Sequence, residues 1–428
     1  MRVREIFKLI LLIQNRRTTY HEIYKFLFRE TPPENHDFLF LSNPLIAEMA
    51  FSDTYNSPAK IKNRKEAAEK KSAPNKIPPY ALQEFSGLVK DYINLDSYKE
   101  SLKLENEIIF SVVVCTYNGV SRIIDALVPL IQQEGIDTQQ VEIIVVNDGS
   151  KDDTKSAVAG FIHDHREARI CYVGLSKNYG PSIARNVGIQ RARGTFVCFT
   201  DDDCIAPKDW LAVFYRCLEE NPEVAGVGGW YSTHENSDES IFDKYLFWRH
   251  LPNTLNFYKS VGMDGSQNLC GNTANVCYRR SALVATGGFN PVFYKPTYED
   301  WELKIRMHRN YFPLLFSPHM VHHIKSHTLH SFARYSLMHG WGRFLVYKIH
   351  GNHVAPVHYN LSLMNIFMQL LLDLRKVFLN LDTGTHLTLL DKIKFAFVET
   401  FYIIMMWFGQ YLIPIEILSS RRRKDISV

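Results

Sequence analysis

The chain has 428 residues, of which 46% are hydrophobic and 22% charged, so it can bury a large core and is expected to form two or three structural units. The formal net charge of +4 is too small to indicate a nucleic-acid partner, and no basic tract with interleaved aromatic residues supports one. The 7 cysteines are odd in number, scattered and free of CxxC pairs, which argues against zinc motifs and indicates reduced thiols in a cytosolic compartment.

The first predicted segment, residues 1–105, is a helical extension that contains a flexible linker. Residues 1–17 have an apolar centre and a basic end and lack a small-residue cleavage site, so we expect a short amphipathic helix and not a signal peptide. Residues 52–79 are rich in Lys, Asn, Ser, Ala and Pro and hold few large apolar residues, which is typical of a linker.

Short β-branched runs then alternate with amphipathic stretches, beginning near Ile108. The runs lie at 110–115, 141–146, 170–173 and 195–200, and helical patterns fill the intervals at 123–133, 154–165 and 182–192. Strand and helix in strict alternation predict an α/β fold with a parallel, doubly wound (Rossmann-like) sheet. We assign this domain to residues 106–345.

Polar loops follow three of these strands, at residues 116–118, 147–150 and 201–203. Ligands of open α/β sheets bind beyond the carboxyl ends of the strands, so we expect the three loops to line one crevice. Residues 201–203 are three consecutive aspartates after a buried run. Burying three adjacent carboxylates is costly unless a cation shares the site, and oxygen ligands suit Mg²⁺ or Mn²⁺.

These loops and the segments after them resemble the family 2 glycosyltransferases, which have a GT-A fold. The motifs T-Y-N and N-D-G-S-K-D-D-T end the first two strands, at 116–118 and 147–154. Four more pieces follow in the family's order: N-Y-G at 178–180 together with A-R-N-V-G at 184–188, the aspartates, G-G-F at 287–289, and E-D-W-E-L at 299–303 with Arg306. The resemblance covers residues 108–343, and six pieces in one order are far more specific than D-x-D alone.

The chain departs from the family pattern at two positions. Asn147 stands where the family often has Asp, and Tyr298 precedes Glu299 where Gly is frequent. The first departure bears on contacts to the nucleotide base, and the second bears on contacts to the acceptor.

The resemblance implies that Thr116, Tyr117, Asn118 and Asp148 contact the nucleotide. Asp148 would accept a hydrogen bond from the imide N–H of uracil or a similar base. The alternative is a turn residue that caps the helix beginning near residues 152–154.

The turn Gly180–Pro181–Ser182 precedes a helix and is expected to offer free backbone N–H groups and a positive helix end to a diphosphate. Arg185 lies one turn into this helix and would add donors to the same group. Arg185 is alternatively a surface cation that balances Asp153 or Glu167, but its place in the A-R-N motif favours the donor site.

Among the aspartates, the resemblance makes Asp203 the direct metal ligand and Asp201 a ribose or water-mediated ligand. Asp202 belongs to the same donor-binding loop, with its side chain facing elsewhere by strand alternation. Related enzymes carry a histidine after the next strands that binds metal or diphosphate, and the spacing to later motifs favours His323 over His322. An ordinary solvated or core histidine is the alternative.

The E-D pair at the start of a helical pattern supplies the predicted catalytic residues. In the family the second carboxylate removes the proton of the acceptor hydroxyl, which makes Asp300 the general base and Glu299 its acceptor-orienting neighbour. The helix dipole would keep Asp300 ionised. The alternative is that both residues only favour the helix N-terminus.

The last segment, residues 346–428, contains apolar stretches at 361–374 and 395–418, followed by the basic run 421–424. The second stretch has the length of a membrane span but is interrupted by Glu399, Gln410, Pro414 and Glu416. A span would put either the basic run or the donor-binding domain on the outer side, so we expect helices that lie on the cytosolic face of the cell membrane. A buried helical subdomain or a partner-binding face is the alternative.

The sequence therefore predicts a metal-dependent, inverting glycosyltransferase that uses a nucleotide-diphosphate sugar, with UDP favoured, and a glycan or lipid-linked acceptor. No Q-x-x-R-W motif of processive synthases occurs, so one sugar per encounter is expected. A non-catalytic scaffold of polysaccharide assembly is the alternative. A nucleotidyltransferase is disfavoured because the first strand lacks a following glycine-rich basic loop.

Overall fold

The computed structural model describes residues 88–94, 108–229, 231–233, 240–249, 272–350, 370–378 and 388–410, apart from 247, 311, 318, 325 and 376. The predicted N-terminal helices, the linker at 52–79 and the basic run 421–424 lie outside these residues. The described residues fall into two compact units. Residues 88–233 and 272–324 form an α/β unit, and residues 240–249 together with those from 326 onward form a helical unit.

The α/β unit carries every predicted site residue. Its elements in chain order are β1 (Val89–Asn94), β2 (Phe110–Thr116), α1 (Ile123–Ile131), β3 (Val141–Asn147), α2 (Thr154–Asp164), β4 (Arg169–Leu175), α3 (Pro181–Arg191), β5 (Phe196–Asp201), β6 (Cys204–Ile205), α4 (Trp210–Glu220), β7 (Gly226–Gly228), β8 (Tyr231–Thr233), β9 (Val276–Arg279), α5 (Arg280–Thr286), α6 (Glu299–Arg309), β10 (Leu314–Phe316) and β11 (Val321–His323).

The central sheet has the strand order β1-β4-β3-β2-β5-β9-β7-β10. Strands β4, β3, β2 and β5 are parallel, and so is the β7–β10 pair. Strand β1 pairs antiparallel with β4, and β9 pairs antiparallel with both β5 and β7. The prediction of a parallel doubly wound sheet is therefore correct for its centre and wrong for β1 and β9, which pair antiparallel with their neighbours.

The buried centre of the sheet follows from its composition. All seven residues of β3 are buried, and β2 is buried at six of seven positions, as expected for parallel strands covered on both faces. The register places Thr116 opposite Asn147 and Cys115 opposite Asp201. The polar loops after β2, β3 and β5 therefore begin at one edge of the sheet.

A second, three-stranded sheet of order β6-β11-β8 lies beyond the aspartates. Strand β11 pairs antiparallel with β6, which places His323 directly opposite Cys204. Opposite residues of a β-ladder have neighbouring side chains. This small sheet therefore positions His323 beside the residue that follows the aspartate triplet.

The helical unit is built on α7 (Leu329–His350) and α8 (Leu389–Gly409), with further helical residues at 241–249 and 370–378. The two long helices pack so closely that a Cβ on Gly340 would lie 1.8 Å from the carbonyl oxygen of Met406. Glu399 is fully buried, and Arg249 Nη1 donates to its carboxylate at 2.5 Å. Among the described helices, none combines the length and apolar composition that a membrane crossing requires.

Candidate active site

The loops after β2 and β3 are joined by direct hydrogen bonds. The Asn118 backbone N–H donates to Ser150 Oγ at 2.8 Å, and the Lys151 N–H donates to Asn118 Oδ1 at 2.9 Å. Asn118 has a φ of 49°, a left-handed conformation that Asn tolerates better than most residues. The Arg122 guanidinium donates to the carbonyl oxygens of Tyr117 and Asn118. The T-Y-N and N-D-G-S motifs are thus joined by hydrogen bonds into one connected surface.

Asp202 is buried and its carboxylate contacts the first of these loops. Thr116 Oγ1 donates to Asp202 Oδ2 at 2.5 Å, and Arg122 Nε donates to Asp202 Oδ1 at 2.8 Å. Asp202 therefore faces away from the metal position, as alternation along the strand predicts. The prediction that Asp202 helps to bind the nucleotide needs correction, because both of its carboxylate oxygens, and the Thr116 hydroxyl with them, are engaged inside the protein.

Asp148 links the β3 loop to the turn before α3. Its carboxylate accepts hydrogen bonds from the backbone N–H groups of Tyr179, at 2.7 Å, and Gly180, at 2.8 Å. The Gly180 N–H expected to be free for a diphosphate is therefore occupied, which corrects that prediction. Burial raises the pKa of Asp148 to about 7, although the two backbone donors act in the opposite direction.

The turn strongly favours glycine at its first position. Gly180 has a φ of 90°, and a Cβ there would lie 2.1 Å from the carbonyl oxygen of Tyr294. Pro181 then occupies the first position of α3, where its missing N–H costs nothing. The close approach to Tyr294 holds the turn against the segment that leads to α6.

Arg185 is buried and bridges two acidic residues of different elements. Its Nη1 donates to Glu299 Oε1 at 2.6 Å, and its Nη2 donates to Asp201 Oδ1 at 3.1 Å. The alternative of a surface cation near Asp153 or Glu167 is therefore wrong. The bridge joins the last residue of β5 to the first residue of α6.

Glu299 is 4% exposed, and its Oε2 has no hydrogen-bond partner among the described residues. Burial raises its pKa to about 7, against the lowering by Arg185, and the neighbouring Asp300 charge adds to the increase. A buried carboxylate oxygen without a protein partner is costly unless another group supplies a hydrogen bond. This oxygen is therefore available to a ligand hydroxyl.

Asp300 lies in the first turn of α6 and is also largely buried. Its Oδ1 accepts from the Trp301 N–H at 2.8 Å, and Lys304 Nζ lies 3.3 Å from its Oδ2. Tyr298 precedes this helix with a φ of 62°, the left-handed conformation that glycine adopts most easily. The departure from Gly at residue 298 therefore keeps a backbone conformation suited to glycine at the cost of strain.

Asp203, Cys204 and His323 form the cluster of potential metal ligands in the described part of the chain, with ligand atoms within 4.8 Å of one another. Asp203 Oδ1 lies 3.4 Å from His323 Nε2 and 3.9 Å from Cys204 Sγ. A carboxylate and an imidazole at this separation fit a divalent cation between them. Asp201 is not part of the cluster, since its carboxylate accepts from Arg185.

Three residues of the site were not predicted from the sequence. Lys304 lies four positions after Asp300 on one helix, a spacing that could have identified it. Arg122 precedes α1 in a loop, where no such spacing applies. Cys204 could have been found only from its strand pairing with His323. None of the three belongs to the motifs that carry the family resemblance.

Residues 111–284 match the family model described as Glycosyl transferase family 2. Two relatives match shorter stretches. The succinoglycan biosynthesis protein ExoO of Rhizobium meliloti is 38% identical over 115 residues, which is 27% of this chain and 30% of ExoO. The uncharacterized glycosyltransferase YfnE of Bacillus subtilis is 33% identical over 119 residues, 27% of this chain and 29% of YfnE. The matches therefore span less than a third of either relative.

The fold is similar to that of a solved structure of the mannosyltransferase PcManGT from Pyrobaculum calidifontis in complex with GDP-Man and Mn²⁺. The TM-score is 0.50 at 17% identity, and the alignment covers 74% of this chain and 92% of the other. At this identity the likeness concerns the fold. Residues 111–284 thus resemble family 2 glycosyltransferases in sequence, and the chain resembles a glycosyltransferase of known structure in fold.

Proposed function

We propose that this chain is an inverting glycosyltransferase that moves one sugar from a nucleotide-diphosphate sugar to an acceptor hydroxyl. The observation that carries the proposal is the Arg185 bridge, which ties Asp201 of the aspartate triplet to Glu299 of the E-D pair. These two segments are 98 residues apart in sequence. Their connection brings the predicted metal side and the predicted base side into one buried, charged site.

A divalent cation would be held by Asp203 and His323, and Mn²⁺ suits the nitrogen ligand better than Mg²⁺ does. When bound, such an ion neutralises the charge of a diphosphate leaving group. The PcManGT complex contains Mn²⁺ together with GDP-Man, which supports the same type of cofactor here.

Asp300 is the proposed general base. Lys304 Nζ lies 3.3 Å from its Oδ2 and holds in place the carboxylate that would accept a proton from the acceptor hydroxyl. The free Oε2 of Glu299 would accept a second hydrogen bond from the acceptor and so orient it. A single displacement needs only one base, so the anomeric configuration should invert.

The donor is proposed to be a UDP-sugar, and the acceptor a glycan or lipid-linked sugar of polysaccharide or glycoconjugate synthesis. The name of ExoO, a succinoglycan biosynthesis protein, supports that class of pathway. Cytoplasmic donors and the basic run 421–424 support a place on the cytosolic face of the cell membrane.

The test is release of nucleoside diphosphate from a panel of UDP-, GDP- and dTDP-sugars with Mn²⁺, with or without added acceptors. We expect turnover of one donor class, and a loss of at least about a hundredfold in both Asp203→Ala and Asp300→Asn. The Lys155→Met variant, on an exposed part of α2, serves as the control. If nucleotide sugars bind and none reacts, a non-catalytic scaffold replaces this proposal.

A further inference from the structure

Helix α8 exposes large apolar side chains along one face. Phe397 is 79% exposed, and the others on this helix are Leu389, Leu390, Ile393 and Ile404. At about 100° per residue these five positions fall within roughly 100° of arc. They form a continuous stripe over about four turns of the helix.

The helical residues 370–378, which contact α8, also expose large apolar side chains. Leu371, Leu372 and Phe378 are also exposed, and Lys392 Nζ donates to the Phe378 carbonyl oxygen at 3.0 Å, so the two helices are in contact. Of the twelve exposed large hydrophobic side chains in the described residues, eight lie on these two helices. We call these eight residues the apolar face.

The inner side of α8 shows that this outward orientation is fixed. Phe395, Val398 and Tyr402 are buried against residues such as Tyr245 and Phe332. The one charged side chain in the middle of the helix, Glu399, also points inward and pairs with Arg249. The helix therefore buries Glu399 and exposes an apolar stripe on its outer side, the reverse of an ordinary surface helix.

The charges around the apolar face are mainly positive. Lys394 and Arg375 are exposed beside it, and Lys392 is partly exposed. The acidic Asp391 is engaged in the capping box of α8 with Thr388. In the sequence, four consecutive basic residues follow eleven positions after Gln410.

We propose that the apolar face binds an anionic lipid surface, with α8 and residues 370–378 lying in the headgroup region. Apolar side chains with a basic rim are the composition of interfacial helices, where burial of hydrocarbon and attraction to anionic lipids add. Single exposed apolar residues are common on protein surfaces and need no explanation. Eight on two contacting helices form a larger apolar surface, which is typical of an interaction site.

The same charges disfavour two other occupants. A symmetric second copy would place the basic rim against itself, since the same patch meets on both subunits. The apolar stretch at residues 1–29 carries seven Lys or Arg and two Glu. If it bound the apolar face, its positive charges would lie against the basic rim. An anionic headgroup layer is the complementary partner.

The full-length protein can be tested by co-sedimentation with vesicles of phosphatidylcholine alone or mixed with phosphatidylglycerol. We expect binding to the mixed vesicles and at least about a tenfold weaker partition for Phe397→Glu, from the lost burial of one phenylalanine. Lys394→Gln should weaken binding to mixed vesicles about fivefold and leave binding to neutral vesicles unchanged. Met320→Glu, at an exposed apolar residue of the α/β unit, should bind as the wild type does.

Thermal unfolding of each variant checks that folding is retained, which is expected because Phe397 and Lys394 are exposed. The proposal is overturned if the wild type binds neither vesicle type, or if Phe397→Glu binds the mixed vesicles as strongly as the wild type does. It is also overturned if light scattering shows a dimer that Phe397→Glu dissociates, since the apolar face is then a subunit interface. The measurement needs no substrate, so its result is independent of the proposed activity.

Discussion

Lys304 Nζ lies 3.3 Å from Oδ2 of Asp300, one turn along the same helix, and no part of the Lys304 side chain is exposed. Lysine is rarely buried completely unless it is paired. Asp300 directly follows Glu299, so α6 begins with two adjacent, largely buried carboxylates. The buried ammonium group and the Arg185 guanidinium compensate this negative charge from two sides.

Substitution Lys304→Met should therefore lower kcat about 10- to 100-fold while the KM for the donor changes little. The physical reason is that Asp300 loses the ammonium group that holds its carboxylate in position, while the nucleotide contacts remain. Steady-state kinetics of Lys304→Met and Lys304→Arg test this, and the arginine variant should recover part of kcat. An unchanged kcat in folded Lys304→Met would show that Lys304 has only a packing role.

The metal site predicts that Asp203 and Asp202 differ in their effect on metal binding. Asp203→Asn and His323→Ala should each weaken Mn²⁺ binding by at least about a hundredfold, because each loses a ligand. Asp202→Asn should leave Mn²⁺ affinity within about threefold of the wild type, since Asp202 contacts Thr116 and Arg122 instead. Electron paramagnetic resonance of free Mn²⁺ measures these affinities. Equal losses in all three variants would contradict the assignment.

The turn before α3 gives a prediction on stability. Gly180→Ala should destabilise the α/β unit by roughly 1–3 kcal/mol, because the left-handed φ and the contact with Tyr294 both exclude a Cβ. Gly160→Ala is the matched control, since nothing lies within 4 Å of a Cβ at that position of α2. It should be neutral or stabilise by up to about 1 kcal/mol. Urea unfolding of both variants provides the comparison.

Asp148 gives a prediction on pH dependence. Its pKa is about 7 in the folded protein against an ordinary value of 3.8, so folding favours the protonated form. The stability that this group contributes is fully present below pH 3.8 and is lost as the pH rises through about 7. Between about pH 5 and pH 9, the wild type should lose roughly 2–4 kcal/mol relative to Asp148→Asn. A difference that stays constant with pH would show that the Tyr179 and Gly180 amides keep Asp148 ionised.

The sequence was informative where contacts are local or periodic. The buried runs that became β2, β3 and β5 predicted the strands, and their parallel register brings Thr116, Asn147 and Asp201 to one edge. Spacing along the chain also favoured His323 over its neighbour, and His323 lies 3.4 Å from Asp203. These features depend on strand period and on motif order, which a single sequence displays.

Long-range partners could not be predicted in the same way. The carboxylate of Asp148 and the amide of Gly180 are 32 residues apart, and Arg185 and Glu299 are 114 apart. The sequence around one residue of such a pair does not show that the other residue already occupies its hydrogen-bonding group. The antiparallel strand β9 was also missed, because a strand of four residues leaves no readable alternation.

The proposed single displacement is tested most directly by the anomeric configuration of the sugar first released from the donor. The reaction is run with Mn²⁺ and with water as the acceptor, and proton nuclear magnetic resonance identifies the anomer. An α-linked nucleotide sugar should give the β anomer first, before mutarotation, and Asp300→Asn should suppress its formation. Release of the α anomer first, or undiminished inversion in folded Asp300→Asn, would contradict the assignment of Asp300 as the base of an inverting transfer.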